Sequence, residues 1–131
     1  MKEIENSSGF CMSYKNIMDP YWMYPIVNAV TGFNYSRAEF RMLGMRMFIM
    51  RLAFNVREGM RRKDYTISPR CISEPRIKNG PLAGVVVDIE KLADNFMDAL
   101  GCTPDFVPKK ELLEILEMEF LIPDFYPEEV K

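Results

Sequence analysis

Histidine is absent from this 131-residue sequence, which removes the usual general base and the commonest metal ligand. Its thiols are Cys11, Cys71 and Cys102. Thiolate is the usual ligand of iron–sulfur clusters, but these three are odd in number, widely spaced and include no CxxC pair. Neither a disulfide framework nor a self-contained metal site follows from that pattern. For Cys71 and Cys102 the ordinary reading is a small hydrophobic side chain. Carboxylates are plentiful, yet no pair is set by sequence in an apolar surrounding that would separate their pKa values for acid–base work. HExxH, GxSxG, P-loop and GxGxxG patterns are absent. No catalytic residue can be assigned.

The elements that must position anything else are organised around residues 36–59. Ser36 and Glu39 have capping-box spacing, and Gly59 suits the left-handed turn that ends a helix. Phe40, Leu43, Met47, Phe48, Leu52 and Phe54 follow one helical face, while Met42, Met45, Ile49, Met50 and Ala53 fall on the others. A helix apolar almost all round is expected to be buried on every side, which a chain this short would struggle to do alone. Arg61, Arg62 and Lys63 follow it and place positive charge at its negative end, a dipole arrangement rather than a phosphate site.

Residues 1–19 read as loop, with Ser7, Ser8, Gly9 and Asp19-Pro20 as breakers. Residues 21–30 read as a short apolar helix limited by Pro25 and stopped by Gly32, with Tyr21, Trp22 and Tyr24 as core or interface anchors. Residues 64–87 hold Pro69, Pro75, Pro81, Gly80 and Gly84 without periodicity. So long a connection is expected to be mobile or to lie as an arm over another surface, with 85–87 able to pair as a strand. Asp88 caps an amphipathic helix in which Ile89, Leu92, Ala93, Phe96, Met97 and Leu100 share a face and Gly101 is the stop. Its acidic face, Glu90, Asp94 and Asp98, reads as solvated. A last helix starts near Pro108 with Leu112, Leu113, Ile115 and Leu116 inward, and 122–131 reads as a tail. The fold class expected is mainly α: an irregular helical domain of about four helices, spanning 1–131, with a long extended arm at 64–87.

Composition narrows the class further. At 48% hydrophobic residues a core can form. No apolar run is long enough to span a bilayer and no signal-peptide h-region opens the chain, so a cytoplasmic location without membrane contact is expected. Residues 1–63 carry ten Lys/Arg against five Asp/Glu, and residues 64–131 carry seven against fourteen. A dipolar surface, or two halves that attract each other, explains this split. Nucleic-acid binding does not, since the arginines of the central helix point in several directions.

Several stretches in order carry a resemblance: Asn28-Ala29-Val30-Thr31-Gly32-Phe33-Asn34-Tyr35-Ser36, Phe54-Asn55-Val56-Arg57-Glu58-Gly59, Arg62-Lys63-Asp64 with Ser68-Pro69-Arg70, then Glu74-Pro75, Gly80-Pro81, Gly84 and Leu100-Gly101. Together they resemble the C-terminal region of tungsten-containing aldehyde ferredoxin oxidoreductases, over residues 4–118. The resemblance implies a part of an enzyme several times longer. Such enzymes bind a tungsten or molybdenum bis-pterin beside a [4Fe-4S] cluster and oxidise aldehydes to acids with ferredoxin as acceptor. Three cluster cysteines of the family lie in an upstream CxxCxxxC motif and the fourth in a D-x-x-G-x-C segment.

Asn6-Ser7-Ser8-Gly9-Phe10-Cys11 aligns with that last segment. By resemblance, Cys11 is the fourth cluster ligand, Asn6 holds the place of the acidic pterin contact, and Gly9 permits the close turn. Asn6 in place of Asp loses a charge-assisted hydrogen bond, though its amide oxygen still accepts. The CxxCxxxC motif and the family's catalytic acid–base residues are not in this sequence, and one cysteine cannot hold a cubane. The chain is therefore expected to bind no cofactor alone, to be inactive alone, and to need the N-terminal part of the enzyme or a separate subunit carrying it, with ferredoxin reached indirectly. The alternative is a non-catalytic helical interaction module, a relict of that family, burying the central helix against a copy of itself as a homo-oligomer.

Overall fold

A computed structural model describes residues 2–11 and 22–127. Among them the architecture is all-α, with six α-helices, short 3-10 turns and no strand. The longest helix, here α3 (Arg37–Arg57), runs about 30 Å at 1.5 Å per residue. Its start is the capping box read from the sequence. The Ser36 hydroxyl accepts from the Glu39 N–H at 3.3 Å, and the Glu39 carboxylate accepts from the Ser36 N–H at 2.7 Å. Hydrogen bonds to the carboxylate from the Ser36 hydroxyl and then from its backbone N–H hold the Glu39 carboxyl below its ordinary 4.5. The stability they add is therefore present above that value and lost on acidification. At the far end Arg61 Nη1 donates to the carbonyls of Val56 at 2.7 Å and Met60 at 2.8 Å. The charge expected to favour the helix dipole is thus placed directly on carbonyls at and just beyond the helix end.

The helix is not buried on every side. Phe40, Ile49, Leu52, Ala53 and Val56 are covered, but Met42, Met50 and Phe54 are exposed. Within the described residues the chain packs against only part of its circumference.

Two apolar clusters hang on α3. The first joins Phe40 to Ile4 of α1 (Lys2–Ser8) and Met23 of α2 (Met23–Thr31). The loop reading of residues 1–19 is thereby corrected for its first part. A short helix forms because Ile4 is sunk to 2% exposure and Glu3 pairs with Arg51 of α3, tertiary contacts that a seven-residue helix needs. The remaining loop expectation, including Asp19-Pro20, lies outside the described residues, as does Tyr21. α2 begins two residues before Pro25, which sits in the first turn where N–H groups have no helical partner anyway, and Gly32 ends it. The Asn28 amide then closes the turn into α3, donating to Tyr35 O at 2.8 Å and accepting from Tyr35 N at 3.1 Å.

The second cluster gathers Ile49, Leu52 and Val56 with Met97, Leu113, Leu116, Met118 and Leu121. Met97 comes from α4 (Ile89–Leu100), capped by Asp88, whose carboxylate accepts from Lys91 N at 3.0 Å. Gly101 stops α4 at φ +85°, where a Cβ would also lie 3.3 Å from Leu112 Cβ. The next helix, α5 (Lys110–Ile115), starts beyond Pro108 rather than at it. Pro108 instead pairs in an isolated antiparallel bridge with Cys102. Leu113 and Leu116 point inward as expected, but Ile115 is 67% exposed. The expected tail at 122–131 is helical over α6 (Ile122–Phe125), and Tyr126 donates its hydroxyl to Pro108 O at 3.0 Å. Residues 128–131 lie outside the described part.

Residues 64–87 form an arm that folds on itself. A 3-10 turn at Pro69–Ile72 is followed by bonds from Glu74 N to Pro69 O at 2.9 Å and Gly84 N to Ile77 O at 2.9 Å. Residues 85–87 form no strand; Val87 N donates to Ile72 O at 3.1 Å. The acidic face of α4 is not merely solvated. Glu90 and Asp94 both receive Arg62, with Arg62 Nε to Glu90 Oε2 at 3.0 Å, and Asp98 meets Lys109 at 3.4 Å. The Arg62 pairs, with Arg46 and Glu117 at 3.5 Å, tie the basic half of the sequence to the acidic half, whereas Asp98–Lys109 lies within the acidic half.

Candidate functional site at the exposed end of α1

The helical geometry of α1 brings its C-terminal end, Asn6 to Ser8, to the surface, with Ile4 and Glu5 buried behind it. At Gly9 the backbone turns left-handed, φ +71°, a conformation that costs an L side chain free energy. That turn returns Phe10 N to Glu5 O at 3.3 Å and sets the Phe10 ring edge-on to Trp22, centroids 5.9 Å apart. Phe10 is half-buried and Cys11, next along the chain, is exposed. The segment thus works as an anchor and a presenter: Ile4 and Phe10 fix it to α2 and α3, and Gly9 releases Cys11 outward.

Beside it lies a cleft of about 350 Å³ lined by Ser7, Ser8, Phe10, Val27, Val30 and Thr31. The cleft adjoins the segment, but Asn6 and Cys11 are not among its lining residues. Of the three residues singled out from sequence, then, Gly9 has the turn geometry expected of it. Asn6 and Cys11 share the same exposed end, outside the lining of the cleft.

The donor set decides what this end can hold. Among the described residues no group of three or more His, Cys, Asp and Glu side chains is placed to bind a metal ion. An exposed Cys11 after a glycine turn fits a single thiolate lent to a cluster whose other ligands lie elsewhere, and does not fit a complete cluster site. Asn6, exposed, fits a hydrogen-bond acceptor or donor toward a group that arrives from outside the chain.

The other thiols differ. Cys71 is exposed on the arm, while Cys102 is buried. Burial pushes the Cys102 thiol up to about 11 from an ordinary 9.0, with Lys109 opposing. A raised thiol pKa means the folded chain keeps the proton longer than the unfolded one. Stability is therefore expected to fall as pH rises from 9.0 toward 11. In a thiol-reagent titration of the native protein at pH about 8, Cys11 and Cys71 should react and Cys102 should wait for denaturant. Rapid modification of all three would mean the second cluster is open.

Two asparagines of the resembling stretches have structural work that spacing did not reveal. Asn28 closes the α2–α3 turn, and Asn55 Nδ2 donates to the Tyr65 hydroxyl at 3.1 Å, tying the arm to α3. The signal for such roles is weak in a sequence, because each bond spans seven or ten residues across a turn. Among the described residues no helix is long and apolar enough to cross a membrane.

Residues 1–118 match the family described as aldehyde ferredoxin oxidoreductase, domains 2 and 3. The chain is also similar to a tungsten-containing aldehyde ferredoxin oxidoreductase of Thermococcus kodakarensis, 29% identical over 98 residues, covering 73% of this chain and 16% of that relative. No solved structure matches the chain.

Proposed function

The chain belongs to the aldehyde ferredoxin oxidoreductase family, and on that footing we propose that it is the C-terminal part of a cytoplasmic tungsten- or molybdenum-pterin enzyme oxidising aldehydes to carboxylic acids. The matched relative bears the tungsten-containing name, and the matched region is only 16% of its length, so most of that relative lies outside the match. In this reading Cys11 donates the fourth thiolate to a [4Fe-4S] cluster, and Asn6 hydrogen-bonds the pterin. Held by Cys11 and ligands outside the described residues, the cluster would supply one-electron transfer toward ferredoxin. The chain's own residues hold Cys11 outward through the Gly9 turn and fix α1 on α3 through Ile4 and the Glu3–Arg51 pair. Alone, the chain binds no cofactor and does not turn over.

The observation that carries the reading is the family match, which runs through the Cys11 segment and on to residue 118. Its test is anaerobic co-expression with a tagged polypeptide carrying the CxxCxxxC segment and the pterin-binding region. A stable complex containing iron and acid-labile sulfide is expected, with aldehyde-dependent dye reduction only in the complex. Failure to co-purify, or turnover by the isolated chain, would count against it.

One feature favours the second reading, a non-catalytic homo-oligomeric module. Met42, Met50 and Phe54 are exposed along α3 at helical spacing, with Arg57 lying over the Phe54 ring at 5.3 Å. Light scattering on the isolated chain separates the two, since a monomer has a mass of 15.3 kDa.

A further inference from the structure

We propose that residues 65–100, the arm together with α4, are a flap that opens from α3 as one body, with Arg62 as its clasp. Between Val56 and Cys102 the only buried side chain is Met97, at 7% exposure. The flap is held to the rest of the chain by that one apolar peg and by contacts made at the surface. Opening it uncovers little core, which places the motion at the low end of local opening free energies.

The space under the flap points the same way. Phe48 and Leu52 of α3 line a hollow of about 480 Å³ together with Ile67, Ile89 and Ala93 of the flap. The flap thus bridges that face of α3 instead of packing down on it. Within itself it is better joined. Val87 N donates to Ile72 O at 3.1 Å, Lys91 N donates to the Asp88 carboxylate at 3.0 Å, and α4 is one unbroken helix. The arm and α4 therefore move together.

Two consecutive arginines make the clasp. Arg61 is fixed to the end of α3 by its bonds to the Val56 and Met60 carbonyls, and its N–H donates to Asp64 at 2.8 Å to close the turn. From that fixed turn Arg62 reaches across to the first two turns of α4. Its Nη2 donates to Glu90 Oε2 at 2.6 Å and to Glu90 O at 3.0 Å, and its Nη1 meets Asp94. A guanidinium fork on two carboxylates and a carbonyl is a directional, charge-assisted hold. The two carboxylate side chains are 75% and 55% exposed, so salt weakens it. Lesser fastenings are Tyr65 on Asn55 and Phe106, Phe96 edge-on to Phe48, and Asp98 with Lys109. Closed, the flap covers the Phe48–Leu52 face of α3; open, it presents that face.

The test is a spin-label distance measured on the full chain. One label goes on Cys71, exposed on the arm, and the other on α5 through Ile115→Cys, with Cys11→Ser removing the other exposed thiol. At low salt one main distance is expected, with a minor longer one from the open flap. Arg62→Gln should raise the minor population about tenfold, and Met97→Ala should raise it too. Salt of about 1 M should raise it when Arg62 is present and not in Arg62→Gln. Arg46→Gln breaks an exposed pair outside the flap and should change neither distance. A single distance that neither salt nor Arg62→Gln moves would overturn the proposal. Pinning of the flap by residues 12–21 or 128–131, outside the described part, would give that result. A broad distribution indifferent to Arg62 would overturn it equally, because the arm would be loose without a clasp. So would an Arg62→Gln urea midpoint lowered as far as that of a core variant, since Arg62 would then serve the whole fold.

Discussion

Leu113→Ala is expected to destabilise the chain by about 2–5 kcal/mol, the range for removing a fully buried leucine side chain when its surroundings relax only in part. Leu113 has 0% exposure and sits where α5 meets α3, among Ile49, Leu116, Met118 and Leu121. Deleting its isobutyl group leaves a hole bounded by helices and the 3-10 turn at Glu119–Leu121, elements with little freedom to close in. Against a typical total stability of about 5–15 kcal/mol, the loss is a large fraction. The control is two residues along the same helix. Ile115 is 67% exposed, so Ile115→Ala should stay within about 0.5 kcal/mol. Urea denaturation measures both, as a drop in midpoint without a change in slope. Equal effects at the two positions would mean that α5 is rotated and that the second cluster is wrongly drawn.

That contrast also marks how far the pattern of residues could be read. Local chemistry was legible: Ser36 with Glu39, Asp88, and Gly101 each did at the helix ends what their types and spacing predicted. Which side of a helix is covered was less so. Periodicity placed Leu92, Phe96 and Ile115 inward, but periodicity reports a face, not the presence of a neighbour to cover it. α1 was missed because Ser7, Ser8 and Gly9 read as breakers, while the force holding the helix is one isoleucine docked among residues far along the chain. α6 was missed for the same reason, since Leu121 is buried by contacts made across the fold. Of the candidate site, only the glycine turn followed from residue type. The roles proposed for Asn6 and Cys11 came from resemblance, as no spacing in this sequence encodes a complete ligand set.

Cys11→Ser is expected to separate assembly from iron. In the co-expressed complex it should leave the partner bound, because exchanging one exposed thiol for a hydroxyl removes a metal ligand but little contact area. Iron and acid-labile sulfide should fall severalfold, since a serine hydroxyl at neutral pH lacks the ready thiolate that ligates iron. Cys71→Ser and Cys102→Ser discriminate this from a general loss of thiols. Cys71 is exposed, as Cys11 is, so exposure alone would make the two behave alike; iron retained in Cys71→Ser and lost in Cys11→Ser assigns the role to position. Cys102 is buried and its serine variant should lower stability without touching iron content per folded complex. Gly9→Ala adds a graded arm to the series. At φ +71° a Cβ meets nothing within 4 Å, so the penalty is confined to the backbone, about 1 kcal/mol. The complex should form while the Cys11 thiol is displaced and iron occupancy drops partway. Full iron in Cys11→Ser would remove the ligand role from this chain, whatever the partner then does.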